Sequence, residues 1–210
     1  MTNIILVFLV LTNLMLLGTG RISASIRIVA AQGVALSLLP LLIHAHGFGV
    51  RAVLLAAATV GLKGYLFPRL LNKAQRQASV RYEPAPFLSF STSLMLGVAS
   101  VGVAMWIGES LKLPEIESPL IVPAALSTIF IGLLLIVARK KALSQVLGYV
   151  VLENGIYVFG VVLAQNEPLL VELGILLDVF VAVFLMGIAI FHISREFDHI
   201  DVDQMTTLKH

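Results

Sequence analysis

The 210-residue chain contains no cysteine. That absence excludes disulfides, thiolate-held iron–sulfur clusters and a cysteine-bound nickel–iron centre within this polypeptide, so any redox chemistry belongs to a partner. Charge is scarce as well: Asp, Glu, Lys and Arg make up 12% of the residues, against 59% hydrophobic. A mean hydropathy of +1.00 is far from the balance of a soluble domain. No polar stretch exceeds about 20 residues, too few for a folded core of its own. The sequence has no phosphate-cradling glycine loop, no nucleophile elbow and no HExxH, and GTG at 18–20 fits helix packing better than ligand binding. A net charge of +2 and a pI near 9.0 do not argue for nucleic acid, because the bases gather at the ends of apolar runs, where membrane topology explains them.

What is present is a succession of apolar runs, each near the 20 or so residues that cross a hydrocarbon layer about 30 Å thick. They predict an all-α, polytopic integral membrane protein with seven transmembrane helices, at about 4–20, 28–46, 50–70, 87–108, 118–138, 142–164 and 168–193. The first run has no Lys or Arg before it and no small-residue cleavage pattern after it, so it is expected to stay as a helix and not to be removed as a signal peptide. Alternate loops are basic: Arg21 and Arg27, then Arg69, Lys73, Arg76 and Arg81, then Arg139, Lys140 and Lys141. The intervening loops carry only Arg51 and Lys112, which places the N-terminus outside and the C-terminus in the cytoplasm. The acidic stretch ESLKLPEIESP at 109–119 reads as a solvated connector whose prolines end one helix and begin the next. Residues 1–210 form one membrane domain, divided into a four-helix part (1–117), a three-helix unit (118–195) and a cytoplasmic tail (196–210). A weak internal echo relates helices one to three with five to seven: Gln32-Gly33 and Glu153-Asn154-Gly155 fall in the middle helix of each, and Lys63 and Asp178 in the third.

Glu153, in VLENGIYVFG, lies twelve residues beyond Lys141, about 18 Å along a helix and near the membrane centre. A carboxylate there costs about 2.5–3.5 kcal/mol to insert, so it must face other helices or internal water. Burial favours the neutral form of a carboxyl group and can bring its titration close to neutral pH, the condition for passing protons. The bland alternative is a neutral acid that only hydrogen-bonds a neighbouring helix. Asp178, in ELGILLDVFVAV, is similarly deep, and water could join it to Glu153 across antiparallel helices packed about 8–10 Å apart. Glu172 either belongs to this set or reaches the interface. Lys63, in VGLKGYLFP, either snorkels toward the cytoplasmic side or serves as counter-ion to a carboxylate. Gln32 reads as an interhelical hydrogen bond; His44 and His46 read as interfacial, with His44 a possible proton exit, and His192 as an inner-interface residue.

The segments QVLGYVVLENG (145–155), NEPLLVELGILLDVFVAVF (166–184) and the tail IDVDQMTTLKH (200–210) closely resemble the membrane component E of hydrogenase-4, of the group 4 nickel–iron hydrogenase and formate hydrogenlyase complexes. The resemblance is specific over about the last seventy residues and rests on length and span pattern before that. That family is similar in its last three helices to the K subunit of respiratory complex I and the C subunit of Mrp-type antiporters, which carry membrane-embedded carboxylates on their second and third helices. The resemblance places Glu153 at the first such position and Asp178 at the second, although the loop before Asp178 is shorter and the family residue there is Glu. It supports Glu172 as well.

The resemblance implies a non-catalytic subunit of the bacterial or archaeal inner membrane that conducts protons, or couples redox chemistry to ion translocation. It implies no cofactor in this chain, and a [NiFe] centre and iron–sulfur clusters in partners. Those partners would be antiporter-like membrane subunits, an anchor like the complex I H subunit, and a peripheral redox arm. Two other readings remain open at this point: a subunit of a cation/proton antiporter, and a structural scaffold with inert acids.

Overall fold

The computed structural model describes residues 1–43, 50–77, 86–111 and 118–163. Every regular element among them is helical. The chain begins with α1 (Thr2–Gly18), α2 (Ile22–Ser37) and a short α3 (Leu39–Ile43). There follow α4 (Val50–Thr59), a π-helical segment (Val60–Leu66) and α5 (Phe67–Gln77) in one continuous run, then α6 (Phe90–Ser110), α7 (Ile121–Ala138) and α8 (Ala142–Leu163). Three of these helices, within Phe90–Ser110, Ile121–Ala138 and Ala142–Gly160, are long and apolar enough to cross a membrane, and α1 and α2 are shorter apolar helices. The seventh predicted span and the tail lie outside the described residues.

Two boundaries differ from the hydropathy reading by more than three residues, for one reason. The second helix starts at Ile22 rather than 28, so that Arg27 is helical, and the third continues to Gln77 rather than 70, carrying Arg69, Lys73 and Arg76 on its last three turns. Hydropathy finds where apolar side chains stop. The helix itself goes on, because Arg, Lys and Gln are good helix formers and hold their charged ends in water. Pro40 interrupts the second predicted span. It has no N–H for the carbonyl of Leu36, and α2 ends at Ser37, with a turn at Leu38 before α3 resumes.

The π-helical segment has an analogous cause. Pro68 cannot donate back to the preceding turn, and Gly61 and Gly64 flank Lys63 with little resistance to a widened backbone. The wider turn shifts the helical phase around Lys63, a local irregularity often found at functional positions.

α7 and α8 form the tightest pair, an antiparallel hairpin joined through Arg139, Lys140 and Lys141. Pro123 is accommodated in the first turn of α7, where its missing N–H is not needed. Gly132, Gly148 and Gly155 bring the two backbones together. A β-carbon on Gly132 would lie 2.5 Å from the Leu152 amide nitrogen, and one on Gly155 2.8 Å from the Ile129 nitrogen and 2.9 Å from the Ala125 oxygen. Small residues at such a contact gain packing that helices in lipid cannot obtain from the hydrophobic effect. Gly155→Leu is therefore expected to force the hairpin apart at a cost of about 1–3 kcal/mol. Thermal unfolding in detergent should show a lower midpoint for Gly155→Leu, whereas Gly160→Leu, which meets nothing within 4 Å, should behave as wild type. Equal midpoints would dispose of the close contact.

The apolar core is in two pieces. One joins Leu16, Leu17, Ile22, Ile26, Ile131, Leu135, Leu147 and Val150. The other joins Leu6, Leu9, Leu36, Leu39, Ile121, Ala125 and Val158. Along each of α1, α2, α7 and α8, the residues between these two clusters include a buried polar side chain: Asn13, Gln32, Thr128, and Glu153 with Asn154. A single polar layer thus crosses the middle of an otherwise apolar bundle.

Candidate functional site

Glu153, Asn154 and Tyr157 come from one turn of α8, at i, i+1 and i+4, and Lys63 comes from the π-helical segment. The Lys63 ammonium lies 3.1 Å from Glu153 Oε1. It donates to Asn154 Oδ1 at 3.1 Å and sits 5.0 Å from the centre of the Tyr157 ring, whose negative face attracts a cation. Lys63 is 2% exposed and Glu153 3%, so this is a desolvated ion pair. Gly33 makes it reachable: a β-carbon there would lie 2.6 Å from that of Lys63, so any larger residue would push the lysine backbone off α2.

The two partners are held unequally. Lys63 has a carboxylate, an amide and a ring. Both Glu153 oxygens are buried and accept no hydrogen bond among the described residues, the ammonium approaching Oε1 at contact distance without hydrogen-bond alignment. The attraction of unit charges at that separation is about 5 kcal/mol at an effective dielectric of about 20. Removing both charges from water costs several kcal/mol each. The pair therefore contributes little net stability, and a neutral pair of similar shape would serve the fold as well.

Beyond Asn154 the polar layer continues. Its Nδ2 donates to Gln32 Oε1 at 3.5 Å; Gln32 Nε2 donates to Asn13 Oδ1 at 2.8 Å and to Thr12 Oγ1 at 2.9 Å; Asn13 Nδ2 donates to Thr128 Oγ1 at 2.8 Å. Gln32 thus makes the interhelical bonds expected of it, and the two echoed positions, Gln32 and Asn154, meet face to face.

Of the sequence-predicted site residues, the structure brings Lys63 and Glu153 together, in the counter-ion arrangement and not the snorkelling one. Lys63 looked shallow when its depth was measured from Arg69. Measured from the end of the helix at Gln77, fourteen residues on, it lies about 21 Å deep, level with Glu153. Asp178, Glu172 and His44 lie outside the described residues, as do His46 and His192. Asn13 and Thr128 were missed. Their only signal was a polar side chain in the middle of an apolar run, and Ser and Thr in such runs commonly bond their own helix. Arg139 departs from its expected place as a solvated loop base. It is buried, donates from Nη2 to the Leu17 carbonyl at 2.7 Å and stacks 4.5 Å from the Phe90 ring, clamping the end of α1 to the α7–α8 connection.

The family model described as NADH-ubiquinone/plastoquinone oxidoreductase chain 4L matches residues 120–210. Hydrogenase-4 component E of Escherichia coli K12 is 30% identical over 150 residues, 70% of this chain and 68% of that protein. The chain belongs to the hydrogenase-4 component E family. An uncharacterized protein of Mycobacterium tuberculosis is 30% identical over 203 residues, 96% of this chain and 92% of the relative. No solved structure matches. Within the chain, the site straddles the boundary of the chain 4L match. Glu153, Asn154 and Thr128 lie inside it, while Lys63, Gln32 and Asn13 come from the helices before it.

Proposed function

We propose that the chain is a non-catalytic membrane subunit of a complex I-like oxidoreductase of the group 4 hydrogenase type, in which Glu153, paired with Lys63, takes up and releases a proton or relays charge rearrangement to ion-translocating partners. The observation that carries this reading is the buried pair itself. It adds little to stability, its carboxylate is under-satisfied by the described residues, and it lies in the polar layer between two apolar clusters. A carboxylate in that condition can give up its charge because the ammonium left behind is still held by Asn154 and the Tyr157 ring, which offset part of the cost of stranding it.

In this proposal Asp178 continues the relay on a seventh span, with Glu172 and His44 as further stations toward the outer surface. The chain crosses a bacterial or archaeal inner membrane seven times, with its N-terminus outside. Residues 118–195 act as the unit like the complex I K subunit. The [NiFe] centre and iron–sulfur clusters reside in a peripheral arm, since no cysteine is available here to hold them. An anchor like the complex I H subunit and antiporter-like subunits complete the membrane part.

Purification through this subunit in mild detergent, with mass spectrometry and metal analysis, tests the proposal. A nickel-containing large subunit, iron–sulfur proteins and antiporter-like subunits are expected to come with it. Antiporter-like subunits alone, or proton transport by the reconstituted subunit alone, would replace it with the antiporter reading.

A further inference from the structure

Among the described residues, the side-chain hydrogen bonds that lead from Lys63 to Thr12 and Thr128 run in one direction, away from the lysine. Lys63 donates to Asn154, Asn154 to Gln32, Gln32 to Asn13 and Thr12, and Asn13 to Thr128. The direction is imposed at both ends. An ammonium can only donate, so it turns the carbonyl of Asn154 toward itself. At the far end the Thr128 hydroxyl is committed to the Ala124 carbonyl at 2.6 Å, and the Thr12 hydroxyl to the carbonyls of Phe8 at 2.7 Å and Leu9 at 2.9 Å. Both hydroxyls must then accept from an amide. Flipping any of the three amides between these ends would set donor against donor on one side and oxygen against oxygen on the other, in a buried layer where an unmade bond is costly.

Two consequences follow. Each accepting oxygen points back toward the lysine, so the amide dipoles add up in favour of its positive charge. A proton crossing an amide link would have to leave it as an imidic acid, so the chain of amides is a poor proton path.

We infer that Asn154, Gln32 and Asn13 are positioning residues that hold Lys63 as a cation, so that the proton exchanged at the pair is that of Glu153 and none passes toward α1. The inference rests on the proton-coupling role proposed above. Among the described residues, the titratable groups facing Lys63 are Glu153 and Tyr157 from α8; α2 presents Gln32 and Gly33, and on α5 the guanidinium of Arg69 is engaged by Tyr65 5.4 Å away.

The test uses the intact complex in vesicles, with proton uptake driven by its redox reaction and followed against pH. Gln32→Leu cuts the ladder without touching Glu153 or the Lys63–Asn154 bond. The alkaline limb of uptake, where Lys63 loses its charge, is expected to move down by about half a pH unit, the scale of one neutral hydrogen bond, since the bond cut is one amide removed from the charge. Asn13→Leu, one link further out, should move it the same way by less. A purely structural role would lower the yield of assembled complex and leave the limb in place, and that result overturns the inference. So does a Gln32→Leu complex that assembles but no longer takes up protons, since the ladder would then be the path itself.

If neither variant assembles, the wild type decides: the infrared carboxyl band lost in Glu153→Gln should change as uptake proceeds, and a band that does not change while uptake proceeds overturns the inference. Failure of the underlying reading is separate. It would appear as uptake undiminished in Glu153→Gln, whatever the ladder variants do.

Discussion

Glu153→Gln is expected to lower redox-driven proton uptake by the assembled complex by roughly a hundredfold, the scale of losing a positioned proton-transfer group, while the complex still assembles. Assembly should survive because the change is nearly isosteric and leaves Lys63 held. The ammonium keeps its bond to Asn154 Oδ1 at 3.1 Å and its place over the Tyr157 ring. Function should not survive, because a glutamine at this position cannot carry a proton, and the described helices offer no other acid at this level of the bundle. Electron transfer in the peripheral arm, measured with an artificial acceptor, should continue or rise as it loses its coupling to translocation. Uptake at the wild-type rate would leave the pair as a structural feature and sink the proposed role.

The opposite substitution has the opposite profile. Lys63→Met removes the countercharge from a carboxylate whose two oxygens accept nothing else among the described residues. Stranding a charge in this way costs about 3–5 kcal/mol unless it takes up a proton. Loss of thermal stability and of assembled complex should therefore be greater for Lys63→Met than for Glu153→Gln. The double variant Lys63→Met/Glu153→Gln should recover most of the loss, because a neutral pair of similar shape suits an apolar bundle as well as an ion pair does. Unfolding midpoints of the four proteins make a double-mutant cycle. A coupling energy near zero would mean that the two side chains do not interact in the folded protein.

The inequality between the two single variants is the informative part. An ion pair kept for strength would lose about as much from either side. Among the described residues the lysine has three polar or aromatic partners and the glutamate oxygens meet only the ammonium, so the site fixes one charge and leaves the other able to change. That division of labour is what a proton-exchanging carboxylate beside a permanent cation requires.

Much of this was legible beforehand, residue by residue. Glu153 stood out because an acid in the middle of a long apolar run has to be explained by something other than solvent. Gln32 was recognisable as an interhelical bond for the same reason. Lys63 was ambiguous, since hydropathy put the helix end at Arg69 and made snorkelling look easy; the added turns to Gln77 removed that ambiguity. Arg139 was read as a loop base from its neighbours Lys140 and Lys141, and its burial depended on the α1 carbonyl it found. Asn13 and Thr128 carried almost no signal, because each makes sense only in the presence of the other.

By itself, the sequence determined the membrane class, the apolar runs of the described helices and the mid-run positions of Glu153 and Gln32. These are properties of composition and of distance along the chain, and a bilayer enforces them on any segment whatever its neighbours. Only the tertiary structure decided that Glu153 faces Lys63, ninety positions away, and that three amides line up between that lysine and Thr128. Such pairings depend on the rotation of each helix about its axis and on how closely backbones approach. Those are set by Gly33 against Lys63, by Gly132 and Gly155 in the α7–α8 hairpin, and by the π-helical turn that resets the phase of one helix against the rest. No periodicity along a single segment contains that information, because it arises where two surfaces meet.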